Sequence, residues 1–274
     1  HPGTVSTHTH VCRMNLPAFQ IEQVIGFILV LMRVGAIIIM IPVFGERVVP
    51  AQVKAGLSVI VAGLIYPVLP VNVGDFKAGS TIELLIRMGG EVIIGVAIGF
   101  VARIVFAAVQ TAGELMGFQM GVAVANVVDP VSSTQISILS EFLYLVALLV
   151  FVTVDGHHIF LASIIESYRF IPILHGFFGA EAAREMLNMT TDVFVTGIKI
   201  AAPVVAVIIF VNVGLGLIAR TVPQINVFIV GFPLQVFVGI MFLGIAMPFI
   251  IALIVHEIDG LWPEIRRIMS IMTG

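Results

Sequence analysis

The sequence predicts an all-α, polytopic membrane protein of about six hydrophobic, proline-kinked helical segments arranged as helix hairpins. Three observations predict it. Of 274 residues, 59% are apolar and only 11% are charged, where a soluble domain carries about 25% charge. The apolar residues gather in runs of roughly 20, the length that crosses a hydrocarbon core. Prolines and a few charges interrupt those runs. So little polar surface cannot cover a water-soluble globule of this size, so lipid or partner subunits have to cover the rest.

The segments follow in order. Residues 1–13 are polar and unlike the remainder. They read as a disordered extension, either an added remnant or an upstream translated stretch, with Met14 as the natural start. His1, His8 and His10 belong to that tail rather than to a metal site. The apolar run after Met14 is too long for a cleavable signal and lacks a small-residue cleavage site. One membrane domain then occupies 14–274. Its first span is Ile21–Phe44, apolar except for Glu22 and Arg33. Ala55–Gly74 carries no charge, and Leu84–Gly113 is broken by Arg87, Glu91 and Arg103. Phe142–Val154 continues past Asp155 to Ile165, and a wet loop is expected from Glu166 to Lys199. Ile200–Ala219 is uncharged. Thr221–Val255 is uncharged over 35 residues but punctuated by Pro223, Pro233 and Pro248. A short amphipathic tail, His256–Gly274, carries Trp262 and the pair Arg266–Arg267. Arg47 and Lys54 against Glu46 place the first loop in the cytoplasm by the positive-inside rule, while the tail arginines pull the other way across six crossings.

Several classes of function are excluded. The net charge is -3, with no basic stripe, so nucleic acid is not a partner. Cys12 is the one cysteine, which rules out an internal disulfide and a Cys/His metal framework. No zinc-protease, nucleophile-elbow, Walker or dinucleotide motif occurs, and neither an enzyme nor a cofactor is expected. Asp155-Gly156-His157-His158 is the one cluster that invites a metal. Adjacent helical histidines point about 100° apart, a poor arrangement for one ion. Gly156-His157 is read instead as a helix boundary, with the imidazole satisfying backbone groups.

The charges inside the runs are informative. One charge at a helix centre costs about 2.5–3.5 kcal/mol on insertion scales. Arg33, Arg103 and Glu114 lie inside or at the ends of apolar runs, and Pro42, Pro67, Pro70, Pro203, Pro233 and Pro248 recur in or beside them. Each charge can snorkel or pair locally. Taken together, the interruptions fit helices packed on other subunits around a conduit.

The stretch Arg103–Gln135 carries most of the pattern. Gly113, Gly117 and Gly121 are spaced by four, as are Gly95 and Gly99. Such spacing lets another backbone approach, either within the chain or from a different subunit. Arg103, Gln110 and Glu114 form a second stripe, with Ala107 between. Arg103 and Glu114 lie about 16 Å apart along a helix axis and cannot pair directly, so the stripe turns to a conduit or a partner. After Gly121 the helical pattern decays. Asn126 interrupts Val122–Val128, and Asp129-Pro130 breaks any helix. A bent or re-entrant loop lined by Met120, Val124, Val127 and Val128 suits a constriction that closes by dewetting. A plain surface loop is the alternative.

Four motifs in order then carry a resemblance. The first is Arg33 with Pro42-Val43-Phe44-Gly45, Val49-Pro50 and Val53-Lys54. The second runs from Ala112-Gly113-Glu114-Leu115-Met116-Gly117-Phe118-Gln119-Met120-Gly121 to Asp129-Pro130. The third is Phe151 with Gly156-His157. The fourth runs from Gly216 through Arg220, Pro223, Gln224 and Phe228 to Gly231-Phe232-Pro233-Leu234. Over Met14–Glu264 the chain resembles the FliR/SctT family of type III export-gate subunits, and its flagellar branch more than its virulence branch.

The resemblance implies an export-gate domain over 14–274 in the bacterial inner membrane, at the flagellar basal body. The implied partners are FliP-like, FliQ-like and FlhB-like membrane subunits, the lipid bilayer and unfolded export substrates. It also implies that Met120–Gln135 corresponds to the pore-plugging loop, with Val124 and Val127 where some relatives carry phenylalanines. A virulence-type gate subunit is the alternative within the family. A secondary transporter is the alternative outside it, but no repeat symmetry supports one.

Overall fold

The computed structural model describes residues 21–45, 49–69, 81–122, 137–173, 178–221 and 227–273. Every regular element among them is helical: α1 (Ile21–Met40), α2 (Pro42–Gly45), α3 (Ala51–Ile65) with a 3₁₀ turn (Tyr66–Val68), α4 (Thr81–Gln119), α5 (Ile138–Thr153), α6 (Gly156–Phe170), α7 (Ala180–Thr221), α8 (Val227–Asp259) and α9 (Leu261–Ile271). Among the described residues, five stretches are long and apolar enough to cross a membrane, and α5 with α6 makes a sixth if that bent pair counts as one span. The polytopic all-α class expected from composition is therefore what the chain adopts.

Helix α4 organises the rest. It packs on α1, α5 and α7, while α8 lies on α7 and α3 on α1. Along α4 the fully buried Ile98, Ala102, Val109, Ala112 and Met116 recur at three, four and seven residues, the spacing of one helical face. The opposing α1 buries Val30, Val34 and Ile37 at the same period, and Ile41 just past its end continues the row. Helix α9 is amphipathic in the same sense. Its buried Leu261, Ile265, Ile268 and Met269 dock it against α4 and α6.

Several expectations need correction. The wet loop at 166–199 is mostly helix, because α6 runs to Phe170 and α7 starts at Ala180. Its first turns are rich in strong helix formers, and Ala182, Met189 and Val193 are buried at helical spacing. Hydropathy alone registers such a segment as polar and misses the apolar stripe. Pro203 lies inside α7, and Pro233 and Pro248 lie inside α8, in keeping with prolines carried within the helical segments. The sharp break falls at Asp155, which has no proline beside it. Asp155 adopts the left-handed conformation (φ 56°, ψ 28°), and α5 and α6 meet there at 67°. A short polar side chain tolerates that region better than most.

Candidate functional site

Arg33 was one of the charges that interrupt an apolar run. It is completely buried, and its Nε donates to Glu91 Oε2 at 2.6 Å. Its Nη1 donates to the carbonyls of Ser167 (3.1 Å) and Ile171 (2.8 Å), at the C-terminal end of α6. Ser167 O also accepts the Ile171 N–H (2.8 Å), and both carbonyls stand at the negative end of the α6 dipole, so a cation there is favourable. The guanidinium also lies 4.3 Å from the ring centroid of Tyr168, whose hydroxyl donates to Val30 O. Arg33 and Glu91 thus tie α1, α4 and α6 into one unit, and Arg33 faces neither conduit nor partner.

The glycine rows are also internal. A Cβ on Gly95 would sit 2.6 Å from Arg33 O, and one on Gly99 would overlap Met40 Cβ. Both glycines let α1 approach α4. Gly113 performs the same role for α5, where a Cβ would overlap Ser140 Cα. Gly117 lies on Ser137, with its would-be Cβ 2.6 Å from Oγ. Of the two partners left open for these glycines, the close neighbour is the chain itself. Gly121 does not share their helical face. It lies beyond Gln119, the last residue of α4, with φ 77°, where glycine carries no steric cost.

The root of the expected plug loop is anchored. Met120 is completely buried and packs on Gly239 of α8, where a Cβ would come within 2.6 Å of its sulfur. Gly121 faces Phe232 and Gln235 of the same helix, and Gln235 hydrogen-bonds Asn212 of α7. Gly231, whose backbone is helical, is buried, whereas Phe232 and Pro233 are exposed. Arg220 is exposed near the end of α7. Val124, Asn126, Val127, Val128, Asp129, Pro130, Pro223 and Gln224 lie outside the described residues, as does the side chain of Phe228.

Gly156 opens α6, and a Cβ there would strike the ring of Phe151 at 2.5 Å. The neighbouring imidazole behaves differently from expectation. His157 Nδ1 is buried and makes no hydrogen bond among the described residues, so it satisfies no backbone group. The two histidines do not diverge either, since their ring centroids are 4.2 Å apart. Asp155 Oδ1 lies 4.0 Å from His157 Nε2 and 3.6 Å from His158 Nδ1, and the three groups could converge on one cation. A metal-binding imidazole normally donates its second N–H to an acceptor that orients the ring. His157 lacks such an acceptor among the described residues, which weakens a metal reading of this cluster.

The polar stripe faces outward. Arg103 and Glu114 are exposed and Gln110 is half-buried, all on one side of α4. Beside them opens a recess of about 500 Å³ lined by Pro42, Phe100, Arg103, Gln110, Tyr144 and Phe194, among others. A second cleft of about 560 Å³ lies where α4, α7 and the α8–α9 junction meet, and the Arg267–Glu185 ion pair (3.1 Å) stands at its edge. Sequence reasoning placed Glu91 and Tyr168 in no site. Their only signal was a carboxylate inside an apolar run and a tyrosine at the end of one, with nothing to connect either to Arg33.

Comparison with known proteins adds the remaining findings. The family described as Bacterial export proteins, family 1, matches residues 24–261. The chain is 35% identical over 218 residues to the flagellar biosynthetic protein FliR of Pectobacterium carotovorum subsp. carotovorum, covering 80% of this chain and 82% of the relative. It is 33% identical over 240 residues to the protein of the same name from Escherichia coli K12, covering 88% and 91%. A Bacillus subtilis 168 protein of that name is 33% identical over 254 residues, covering 91% and 96%.

Proposed function

Because the chain belongs to the bacterial export proteins, family 1, we propose that it is a structural, non-catalytic subunit of the flagellar type III protein export gate. It assembles with FliP-like, FliQ-like and FlhB-like subunits in the bacterial inner membrane at the basal body. Unfolded flagellar subunits pass through the channel so formed. The loop beginning at Met120 constricts that channel until a substrate displaces it.

One observation carries this reading beyond the names of the relatives. Exposed apolar side chains run along α7 from Leu187 to Leu217, about 45 Å at the rise of an α-helix. A bilayer core is about 30 Å thick and cannot cover that length unless the helix lies steeply tilted. Further large apolar side chains stand exposed on α3 and α8, including Leu64 (70%) and Phe237 (68%). Other protein has to cover what lipid does not, and an assembly of sibling subunits supplies it.

The test is co-expression with FliP-like and FliQ-like subunits, followed by detergent extraction. A stable complex of defined stoichiometry is expected. A chain that always purifies alone, or that takes up a small solute when reconstituted by itself, would overturn the reading in favour of a transporter.

A further inference from the structure

Helix α4 buries most of its circumference, yet it leaves one polar strip open. Arg103 and Glu114 are exposed, eleven residues apart, and among the described residues neither forms an ion pair. The contrast with Arg33 is informative, since that guanidinium is fully enclosed and answered by a carboxylate and two carbonyls. Arg103 lies well inside an apolar helix and has no such answer among the described residues. At 100° per residue, Arg103, Gln110 and Glu114 fall within an arc of about 40° around the helix. The strip therefore runs cation, amide, anion over about 16 Å, and the exposed Phe118 extends it by one further turn.

We infer that this strip is the seat of one helix from another subunit of the same assembly. That helix carries an acidic side chain opposite Arg103 and a cationic one about three turns away opposite Glu114. The inference rests on the gate reading and specifies one contact within it. Charge pattern selects the occupant. A phospholipid phosphate would answer Arg103 but leave Glu114 facing apolar surroundings. Water would answer both, but Pro42, Phe100, Phe106 and Phe194 form much of the recess wall beside Arg103, and such a wall wets poorly. A helix laid along α4 answers both ends and places side chains in the recess of about 500 Å³. Charge pairs at a desolvated contact also set register, which a helix assembly requires.

The test uses the full chain co-expressed with its export-gate subunits. A photo-crosslinking amino acid at Ala107, midway along the strip, should join the chain to a segment of one co-expressed subunit. That segment should hold an acid and a base spaced eleven residues apart. The variants R103E and E114R should each lower the yield of complex by more than about tenfold, as expected when one member of a desolvated charge pair is reversed. Both variants should fold normally in isolation, because neither side chain is ion-paired among the described residues. Reversing the partner's acid to arginine should restore assembly of R103E. Cross-links to lipid alone would overturn the inference. So would rapid labelling of A107C by a membrane-impermeant maleimide in the assembled complex (in a C12S background), or unchanged yield from R103E and E114R. Those results would leave the gate reading standing, whereas failure of the wild-type chain to assemble would remove both.

Discussion

Arg33 and Glu91 show how much one pair of side chains can decide. Both are buried, and the guanidinium answers the open end of α6 as well as the carboxylate of α4. Removing one member leaves the other buried without its counter-charge, which costs about 3–5 kcal/mol in comparable cases. Arg33→Met is therefore expected to lower the melting temperature of the detergent-extracted chain sharply. The double variant R33M/E91M should recover much of the loss, because two apolar groups replace the pair. A double variant no better than the single would mean that the Ser167 and Ile171 carbonyls, not Glu91, dominate. Gly113 offers a steric test at the same scale. Valine there would drive α5 away from α4, and overpacking of this kind costs about 1–3 kcal/mol. Among the described residues nothing outside its own helix lies within 4 Å of a would-be Cβ on Gly56, so Gly56→Ala should be neutral or stabilise by up to about 1 kcal/mol. Parallel melting curves of the two variants check the contrast. The glycine spacing was legible in the sequence, but the identity of the opposing helix was not.

At the level of elements, α9, the start of α7 and the bend between α5 and α6 carry the useful distinctions. Helix α9 is held by two ion pairs, Arg266–Glu166 at 3.2 Å and Arg267–Glu185 at 3.1 Å, whose arginines are exposed and whose carboxylates are half-buried, and by an apolar face. Pairs at the solvent boundary contribute about 0–1 kcal/mol each. A buried aliphatic side chain contributes about 1.5–3 kcal/mol, and four are buried here. The double variant R266Q/R267Q should therefore leave α9 docked, whereas Ile265→Asp should release it. Limited proteolysis of the C-terminus distinguishes the two, and equal cleavage of both variants would contradict this ordering. The amphipathic tail was visible in the sequence because its period is local. The helix over 180–199 was missed, since its polar residues mask a stripe of Ala182, Met189 and Val193 that makes sense only against a neighbour. The helix boundary read at Gly156-His157 was legible without a proline, and the left-handed backbone of Asp155 that makes it a bend is held by packing around Phe151 and Gly156.

For the whole molecule, the central feature is a buried scaffold whose outward surfaces are largely apolar. Met120 and Gly121 fix the root of the proposed plug segment to α8 through Gly239 and Phe232. Shortening Val122–Ser133 should then spare assembly while making the membrane permeable to ions. Conductance of cells or proteoliposomes carrying the assembled complex measures this, and unchanged permeability would count against the plug role. Gly239→Leu should disturb the same root from the opposite side, by displacing Met120. It should also raise leakage, without deleting any loop residue.

The sequence alone was sufficient for the fold class and the family. Apolar run length and residue order are local properties, and a lipid solvent forces backbone groups to pair within helices wherever such runs occur. It also placed Arg103, Gln110 and Glu114 on one side of a helix, because helical period depends only on spacing. Only the tertiary structure decided which side faces out, that Arg33 meets a carboxylate 58 residues away, and that the glycine rows close on α1 and α5. Periodicity gives a side chain its angle around its own axis. What stands opposite depends on how separate helices pack, which no short stretch of chain records.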